Sequence, residues 1–502
     1  MRLSTVSLTL FRFLIPPALI GTVYLYFFPA IVGCDFPEAK SAEAACYFDG
    51  ANKPAVAAEI APFRLLALGD PQLEGDTSLP NPAAPLFPGL EKLWRDAGGQ
   101  GVLGLAGAVK SAGLTTAIED VPRILNGLRK RVDLWGNDLY LARVYSTIHW
   151  WTEPTHTVVL GDLLGSQWIG DDEFRKRSTR FWKTVFRNGV KVPKQVTGVS
   201  GRAETLGEDE AWSRRIITVA GNHDIGYAGD IDERRIERFE EAFGSTNWEI
   251  RFHLNDSKSS SVAISSPPEL RVVVLNSMNL DEPAYKPELQ DISRDFLDEQ
   301  LYQAMPKSAA TVILTHIPLH KEAGVCFDAP FFDYFPKDQG GGIREQNHLS
   351  PETSSRILDG LCPAGRCNGV ILNGHDHEGC DTLHARNAED KQGGKTWKAS
   401  PYARNDVKAS ALREITVRSM MGSYGGNAGL LSAWFDESSG EWKFEYGTCM
   451  FGPQQIWWVI YIVDLIVLGL GAVGIVTVVV EEYAQRREKR VCEADATKPK
   501  KA

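Results

Sequence analysis

Three features are scarce or absent in this 502-residue sequence: an excess of basic residues, paired CxxC motifs and internal repeats. The formal net charge of −10 argues against nucleic acid as the main partner, because phosphate binding requires a basic face. Without paired CxxC motifs, a zinc ribbon is disfavoured. Hydrophobic residues make up 43% of the chain, enough to bury a full core in two or three ordinary domains or one large domain with insertions.

Two long apolar runs, residues 13–32 and 456–480, have the length and composition of transmembrane helices. Trp457 and Trp458 begin the second run, as interfacial aromatic residues do, and a basic tail follows it. The positive-inside rule then predicts cytosolic termini at residues 1–12 and 481–502, and places residues 33–455 on the other side. The length of the first run favours an uncleaved anchor over a cleaved signal peptide. The run also ends in "IVGC", which resembles a bacterial lipoprotein box.

The last residues, "KPKKA", place Lys498 and Lys500 in a K-x-K-x-x pattern that resembles a dilysine signal for retrieval to the endoplasmic reticulum (ER). This favours an ER membrane protein that cycles to the early Golgi and is retrieved by coat machinery, over a bacterial lipoprotein. A basic tail that merely satisfies the positive-inside rule is the alternative.

An ER location would expose the region between the membrane helices to an oxidising lumen, where cysteines pair. Cys362 with Cys367 and Cys34 with Cys46 are candidate pairs, although sequence leaves the connectivity open. Asn255, in "NDS", is a glycosylation sequon, which predicts a glycoprotein unless the loop is unused.

Six short runs rich in Val, Ile and Leu lie between the apolar segments, and they predict buried strands of an α/β fold. With the polar residues that follow them, they end at Asp70, Asp162, Asp224, Ser277, His320 and His377. Later runs at hairpin spacing predict a second sheet stacked on the first. We expect the core to span about residues 63–447, with insertions at about 76–130, 191–212 and 384–412 that form surface loops or lids.

The residues at the strand ends are the ligand types of a metal site or proton donors. They are Asp70, Gln72, Asp162, Asn222, His223, Asp224, His316, His375 and His377. Because strand ends in α/β sheets converge on one edge, we expect these side chains to meet. The set suits two divalent cations about 3.5–4 Å apart, with Asp162 as the bridging carboxylate. Imidazole, carboxylate and amide ligands suit Mn²⁺, Fe or Zn²⁺.

The motif order D-x-Q, GD, GNHD, H, GHxH resembles the calcineurin-like metallophosphoesterase superfamily. The resemblance implies a four-layer sandwich of two β-sheets flanked by helices, here with two flanking transmembrane helices. It implies one metal held by Asp70, Gln72, Asp162 and His377, and a second held by Asp162, Asn222, His316 and His375. It also implies that His223 faces the substrate phosphate and that Asp224 orients the His223 ring.

Gln72 departs from the superfamily, which usually has histidine at this position. An amide oxygen is a harder and weaker donor than imidazole, so we expect the site to favour manganese over zinc.

The chain resembles the fungal ER enzymes that trim glycosylphosphatidylinositol (GPI) glycans. The resemblance rests on its two predicted membrane helices and on the motifs "GDPQL", "LGDLLGSQW", "GNHDIG" and "GHDHEGC". The resemblance implies a manganese-dependent phosphodiesterase that removes ethanolamine phosphate from a mannose, with the second mannose favoured. Its expected partners are GPI-anchored proteins or GPI glycolipid, the bilayer and the ER-export machinery. The alternatives are another lumenal phosphoester substrate and a non-catalytic cargo adaptor. The acidic "GEDE" segment, which includes Asp209, is a candidate contact for the ethanolamine ammonium or simply a solvated loop.

Overall fold

The computed structural model describes residues 2–39, 60–75, 79, 85–96, 109, 113–254, 267–303, 305–386, 397–403 and 410–496. Cys46, Asn255, Lys498 and Lys500 lie outside these residues. In chain order the α-helices are α1 (Leu3–Val32), α2 (Pro88–Asp96), α3 (Val121–Thr152), α4 (Asp171–Arg180), α5 (Lys194–Thr197), α6 (Asn222–Ile225), α7 (Glu233–Ala242), α8 (Pro287–Leu301), α9 (Pro351–Leu361) and α10 (Gln454–Ala496).

The strands are, in the same order, β1 (Phe63–Leu68), β2 (His156–Val159), β3 (Val190–Lys191), β4 (Ala203–Thr205), β5 (Arg215–Thr218), β6 (Trp248–His253), β7 (Glu269–Val274), β8 (Ala309–Leu314), β9 (Phe332–Tyr334), β10 (Ile343–Gln346), β11 (Gly369–Asn373), β12 (Cys380–Arg386), β13 (Trp397–Pro401), β14 (Ala411–Thr416), β15 (Asn427–Asp436) and β16 (Glu441–Met450). The chain divides into two units, one made of Met1–Gly33 with Gly452–Ala502 and the other of Cys34–Phe451.

The first unit pairs α1 with α10, and both helices are long and apolar enough to cross a membrane by length and composition. Both helices extend beyond the predicted segments 13–32 and 456–480. Thr22 Oγ1 donates a hydrogen bond to Asp464 Oδ2 over 2.8 Å, and Ser7 Oγ donates to the Leu470 carbonyl over 2.7 Å. Such polar contacts between apolar helices hold the pair in one register.

The second unit contains two mixed β-sheets, which confirms the α/β class; the four-layer arrangement stays a prediction. One sheet has the order β16-β15-β1-β2-β5-β3, and the other has the order β13-β12-β14-β11-β8-β7-β6-β4. β1, β2 and β5 are parallel neighbours, and so are β7, β8, β11 and β14. A separate antiparallel hairpin joins β9 to β10.

All six predicted core strands exist, but the predicted division into sheets is wrong. The first three runs form β1, β2 and β5 of one sheet, whereas the next three form β7, β8 and β11 of the other. Strand β15 returns to pair with β1 and β16 pairs with β15 at the edge of the first sheet, while β12 and β14 extend the second sheet. Each sheet therefore combines strands from both halves of the chain.

The two sheets share one hydrophobic core. Buried side chains such as Leu65 and Val158 on the first sheet belong to the same cluster as Val272 and Leu314 on the second. Two of the predicted insertions also contribute edge strands, β4 within 191–212 and β13 within 384–412. The polar ends of the parallel strands of both sheets are consequently brought together.

Three disulfides link Cys34 to Cys449, Cys326 to Cys380 and Cys362 to Cys367. The candidate pair Cys362–Cys367 is confirmed. The candidate pair Cys34–Cys46 is wrong, because the end of β16 brings Cys449 to within 5.2 Å of Cys34, measured between Cα atoms. A partner 415 residues away gives no signal in the local sequence.

Candidate metal centre

The metal-ligand candidates from both sheets meet at one place, just beyond the ends of β1, β2, β5, β8 and β11. Two groups have ligand atoms within 4.8 Å of one another: Asp162 with His316 and His375, and Asp70 with Asp162 and His377. The groups share Asp162, the residue predicted as the bridge. The structure therefore places two candidate metal positions side by side around one carboxylate.

The backbone at this site is strained in the way that functional sites often are. Four non-glycine residues have left-handed φ angles: Asp70 (46°), Gln72 (42°), Asp162 (48°) and His375 (75°). Residues with side chains rarely adopt this region, so the surrounding structure must hold them there. Each of the four is a predicted ligand, and the strained turns are what direct these side chains into the site.

Glycine is required where ligand segments pass close to one another. A Cβ atom on Gly161 would lie 2.2 Å from His316 Nδ1, and one on Gly221 would lie 2.2 Å from the Asp162 backbone nitrogen. The glycines of "GD" and "GNHD" thus permit close approach of three ligand-bearing segments.

His316, His375 and Asn222 present acceptor atoms to a common point. His316 Nδ1 donates to the Leu160 carbonyl (2.7 Å) and His375 Nε2 donates to the Gln346 carbonyl (3.0 Å). In the neutral rings, the free nitrogens are then His316 Nε2 and His375 Nδ1, each 3.1 Å from Asn222 Oδ1. A cation would satisfy this cluster of acceptors, and carbonyl-anchored histidines are the usual form of metal ligands.

Asp70, Gln72 and His377 surround the other side of Asp162. Asp70 Oδ1 accepts the His375 backbone N–H (3.0 Å), whereas Asp70 Oδ2 is buried without a hydrogen-bond partner among the described residues. Gln72 Nε2 donates to Asp162 Oδ2 (3.0 Å) and lies 3.1 Å from His377 Nε2. A buried carboxylate oxygen without a donor is costly, so this position also fits a cation.

The pKa values of the candidate ligands are strongly shifted. Burial opposes the charged form of His316, but the Asp162 and Asp70 carboxylates outweigh burial and raise its pKa to about 9, so binding of a cation at Nε2 would displace a proton from this ring. Burial raises the pKa of Asp70 to about 8, and the nearby Asp162 carboxylate adds to the effect while His316 opposes it. Burial also opposes ionisation of Asp162, but His223 and His316 hold its pKa below the usual range. Burial lowers the pKa of His375 to about 3, which keeps the ring neutral and able to bind a metal.

His223 reaches the site with its ring, but the predicted role of Asp224 is wrong. His223 Nε2 lies 3.7 Å from Asp162 Oδ2, and its Nδ1 has no partner among the described residues. Asp224 instead accepts the backbone N–H groups of Leu163, Leu164 and Gly221. Because these three hydrogen bonds occupy both carboxylate oxygens, Asp224 positions the turn that follows Asp162 and does not orient the His223 ring.

A cavity of about 740 Å³ opens over the site, and part of its wall is made of residues that the sequence motifs do not mark. Besides the ligands, its lining includes the exposed aromatic residues Trp168 and Phe327 and the carboxylates of Asp328, Glu345, Asp376 and Glu378. The feature of the sequence that could have indicated this part of the wall is Cys326. Its disulfide to Cys380 fixes the segment with Phe327 and Asp328 beside the "GHDH" turn. The "GEDE" segment is not part of this lining, and Asp209 pairs with Arg215 over 2.7 Å.

Among the carboxylates of this wall, Asp328 and Glu345 have no ion pair or side-chain hydrogen bond to a described residue. Glu378 pairs with Arg418 over 2.9 Å, and Asp376 accepts the backbone N–H groups of Asp328 and Glu378. Arg344, the cation in the lining, pairs with Asp333. The wall therefore carries negative charge that the described residues do not neutralise.

The chain is similar to proteins of fungi and animals, of which three are described below. It is 32% identical to Protein TED1 of Saccharomyces cerevisiae over 374 residues, which cover 65% of this chain and 75% of that protein. It is 30% identical to an uncharacterized protein of Schizosaccharomyces pombe, covering 67% of this chain and 80% of that protein. Metallophosphoesterase 1 of Cricetulus griseus is 26% identical over 256 residues, 49% of this chain and 55% of that protein. No protein-family model matches the chain.

Proposed function

Since this chain belongs to the metallophosphoesterase family that includes Protein TED1, we propose that it removes an ethanolamine-phosphate branch from a mannose of GPI-anchor glycans. The family makes the chain a metal-dependent phosphoester hydrolase. The observation that carries the proposal is the placement of two ligand groups sharing Asp162 on the floor of a cavity whose wall bears the unpaired carboxylate of Asp328.

The ligand set fits two divalent cations, and manganese is the proposed identity because the set includes an amide at Gln72. When bound, the pair of cations would neutralise the phosphate oxygens and lower the pKa of a water that attacks phosphorus. Asp70, Gln72, Asp162 and His377 would hold one cation, and Asp162, Asn222, His316 and His375 the other. Asp224 keeps the turn after Asp162 in place through three backbone hydrogen bonds.

His223 is the proposed proton donor. Its Nε2 edge faces Asp162 across 3.7 Å, so a proton carried on that nitrogen lies at the site. Transfer of this proton to the departing alkoxide would assist cleavage of the phosphodiester. The partly exposed ring also borders the cavity, from which a substrate would enter.

The charge of the cavity wall supports a substrate that carries a cation as well as a phosphate. A plain phosphoester is anionic and would be repelled by Asp328 and its neighbours. An ethanolamine phosphate places an ammonium group a few bonds from phosphorus, where it would offset this repulsion. Phe327 offers an exposed aromatic ring of the kind that packs against ammonium groups and other flat ligand surfaces, whereas the Trp168 ring already has the Arg235 guanidinium over it.

The proposed cellular setting is the ER membrane, with the catalytic unit in the lumen, both termini in the cytosol and cycling to the early Golgi. Two helices suited to crossing a membrane and three disulfides in the second unit support this topology, because disulfides form in oxidising compartments. GPI-anchored proteins or GPI glycolipid would be the substrate, with processing tied to ER export. The second mannose is the favoured position.

The decisive experiment is mass spectrometry of GPI glycans from cells that lack the gene and from cells rescued with variants. We expect retained ethanolamine phosphate in the deletion strain, removal on rescue with the wild type, and retention with His223→Ala. Glu210→Gln, which changes a residue outside the cavity lining, is the matched control and should rescue fully. Normal glycans in the deletion strain would exclude this substrate, and full rescue by Asp162→Asn would favour a non-catalytic adaptor.

A further inference from the structure

Glu414, in β14, is a fully buried carboxylate that receives four hydrogen-bond donors. Its Oε1 accepts the backbone N–H of Leu319 and the side-chain amide of Asn373, both over 2.7 Å. Its Oε2 accepts Lys321 Nζ over 2.9 Å and His384 Nε2 over 2.5 Å. Lys321 and His384 are themselves buried, so the whole group is enclosed by protein.

The two donors to Oε1 lie in the two segments that carry the histidines of one ligand group. Leu319 is three residues after His316, in the segment that follows β8, and Asn373 is two residues before His375, at the end of β11. One carboxylate oxygen therefore joins the two segments. Lys321 Nζ also donates to the Leu319 carbonyl over 3.0 Å, so the backbone at Leu319 is held through both its N–H and its carbonyl group.

The other oxygen of Glu414 explains how this buried charge is tolerated. An ionised carboxylate without partners would be expensive inside the protein, and Lys321 supplies the opposite charge while His384 donates a further hydrogen bond. Glu414 does not contact any of the predicted metal ligands directly. Its contacts are with the segments that carry them.

We propose that Glu414 is a positioning residue for the metal centre, which fixes the distance between the His316 and His375 imidazoles and thereby sets the affinity for the metal held by both. Groups that orient metal ligands from behind typically change metal affinity by about 10–100-fold when they are removed. The inference depends on the metal centre and not on the GPI substrate, so its failure would leave the proposed function standing.

The first test is Asn373→Ala, which removes one donor to Oε1 and leaves the Glu414–Lys321 pair intact. Thr382→Val is the matched control: Thr382 Oγ1 lies 3.3 Å from the Glu414 carbonyl and is equally buried, but it contacts neither ligand segment. Full-length protein in detergent is stripped of metal with a chelator and titrated with Mn²⁺ by calorimetry. We expect about tenfold weaker binding of one Mn²⁺ in Asn373→Ala and wild-type binding in Thr382→Val. Equal Mn²⁺ affinity in both variants would overturn the proposal.

The second test separates position from charge with two double variants. Glu414→Gln with Lys321→Met keeps a side-chain oxygen for Leu319 and Asn373 and removes both charges, whereas Glu414→Ala with Lys321→Met removes the oxygen as well. We expect Mn²⁺ affinity near wild type in the glutamine variant and about 10–100-fold weaker in the alanine variant. Equal affinity in the two variants would contradict a positioning role, and circular dichroism checks that both are folded. If the alanine variant fails to fold, the Asn373→Ala comparison decides.

Discussion

The side-chain amide nitrogen of Gln72 lies 3.1 Å from Nε2 of His377, at the edge of the ligand group that also contains Asp70 and Asp162. The same amide nitrogen donates to Asp162 Oδ2. Gln72 is thus in contact with two predicted ligands, at the position where the superfamily resemblance leads one to expect histidine.

We predict that Gln72→His shifts the metal preference towards zinc, because an imidazole is a softer and stronger ligand than an amide. The ratio of Zn²⁺ to Mn²⁺ affinity should rise by about tenfold, measured by competitive metal binding to the full-length protein. Gln167→His, at a residue that lines the cavity but belongs to neither ligand group, is the control. An unchanged ratio in Gln72→His would show that residue 72 does not contribute to metal choice.

Replacement of His223 should separate catalysis from metal binding. The His223 ring is in neither ligand group, so His223→Asn should keep both metals while the turnover number falls by about 10²–10⁴-fold through loss of the proton donor. Metal content by mass spectrometry and turnover of a phosphodiester substrate check the two halves of this prediction. Loss of a metal from His223→Asn would assign this histidine to the metal centre instead.

Asp328 should determine preference for substrates that carry an ammonium group. Asp328→Asn removes one negative charge from the wall, and a hydrogen bond between charged groups contributes about 1.5–3 kcal/mol. We expect kcat/KM for an ethanolamine phosphodiester to fall by about tenfold, with little change for the matched substrate whose amine is acetylated. Glu210→Gln should alter neither value, and an equal loss for both substrates would argue against an ammonium contact at Asp328.

His156 should make the stability of the catalytic unit dependent on pH. Its ring is packed among Phe63, Trp212 and Phe252, and burial, with Arg215 and Arg64 nearby, lowers its pKa to about 3. The unfolded chain takes up a proton near pH 6.5 while the folded chain does not, so stability is present above that pH and is lost as the pH falls towards 3.

His156→Phe removes this titration. Relative to the wild type, its free energy of unfolding should improve by about 1.4 kcal/mol for each pH unit below about 6, measured by denaturant unfolding in detergent at several pH values. Phe63→Leu, a change without a titrating group in the same cluster, should shift stability by the same amount at every pH. A constant difference between His156→Phe and the wild type would refute the prediction.

The sequence was informative about the strands and the ligand types, because both depend on local features. The apolar runs before Asp70 and Asp162, rich in Leu and Val respectively, mark buried strands by composition, and the polar residues after them follow from the geometry of strand ends. The turns at these residues could also be predicted in part from the sequence, since the glycines beside Asp162 and Asn222 directly precede the ligands in the chain.

What the sequence did not reveal depends on contacts between distant residues. The pairing of β15 with β1 and the bond between Cys34 and Cys449 join segments with hundreds of residues between them, and no local pattern encodes such partners. The role of Asp224 was misjudged for the same reason: its carboxylate turns to backbone N–H groups of another loop, although it is the direct neighbour of His223 in sequence.

The Cys34–Cys449 disulfide makes the catalytic unit a covalently closed loop, with a chain separation of 415 residues between its two cysteines. A single proteolytic cut within this loop would therefore leave both fragments attached to one another, and to both candidate membrane helices, until the bond is reduced. Limited proteolysis followed by electrophoresis should show one full-length band without reductant and two fragments with it. The two terminal helices thus remain covalently linked through this disulfide even when the chain between them is broken.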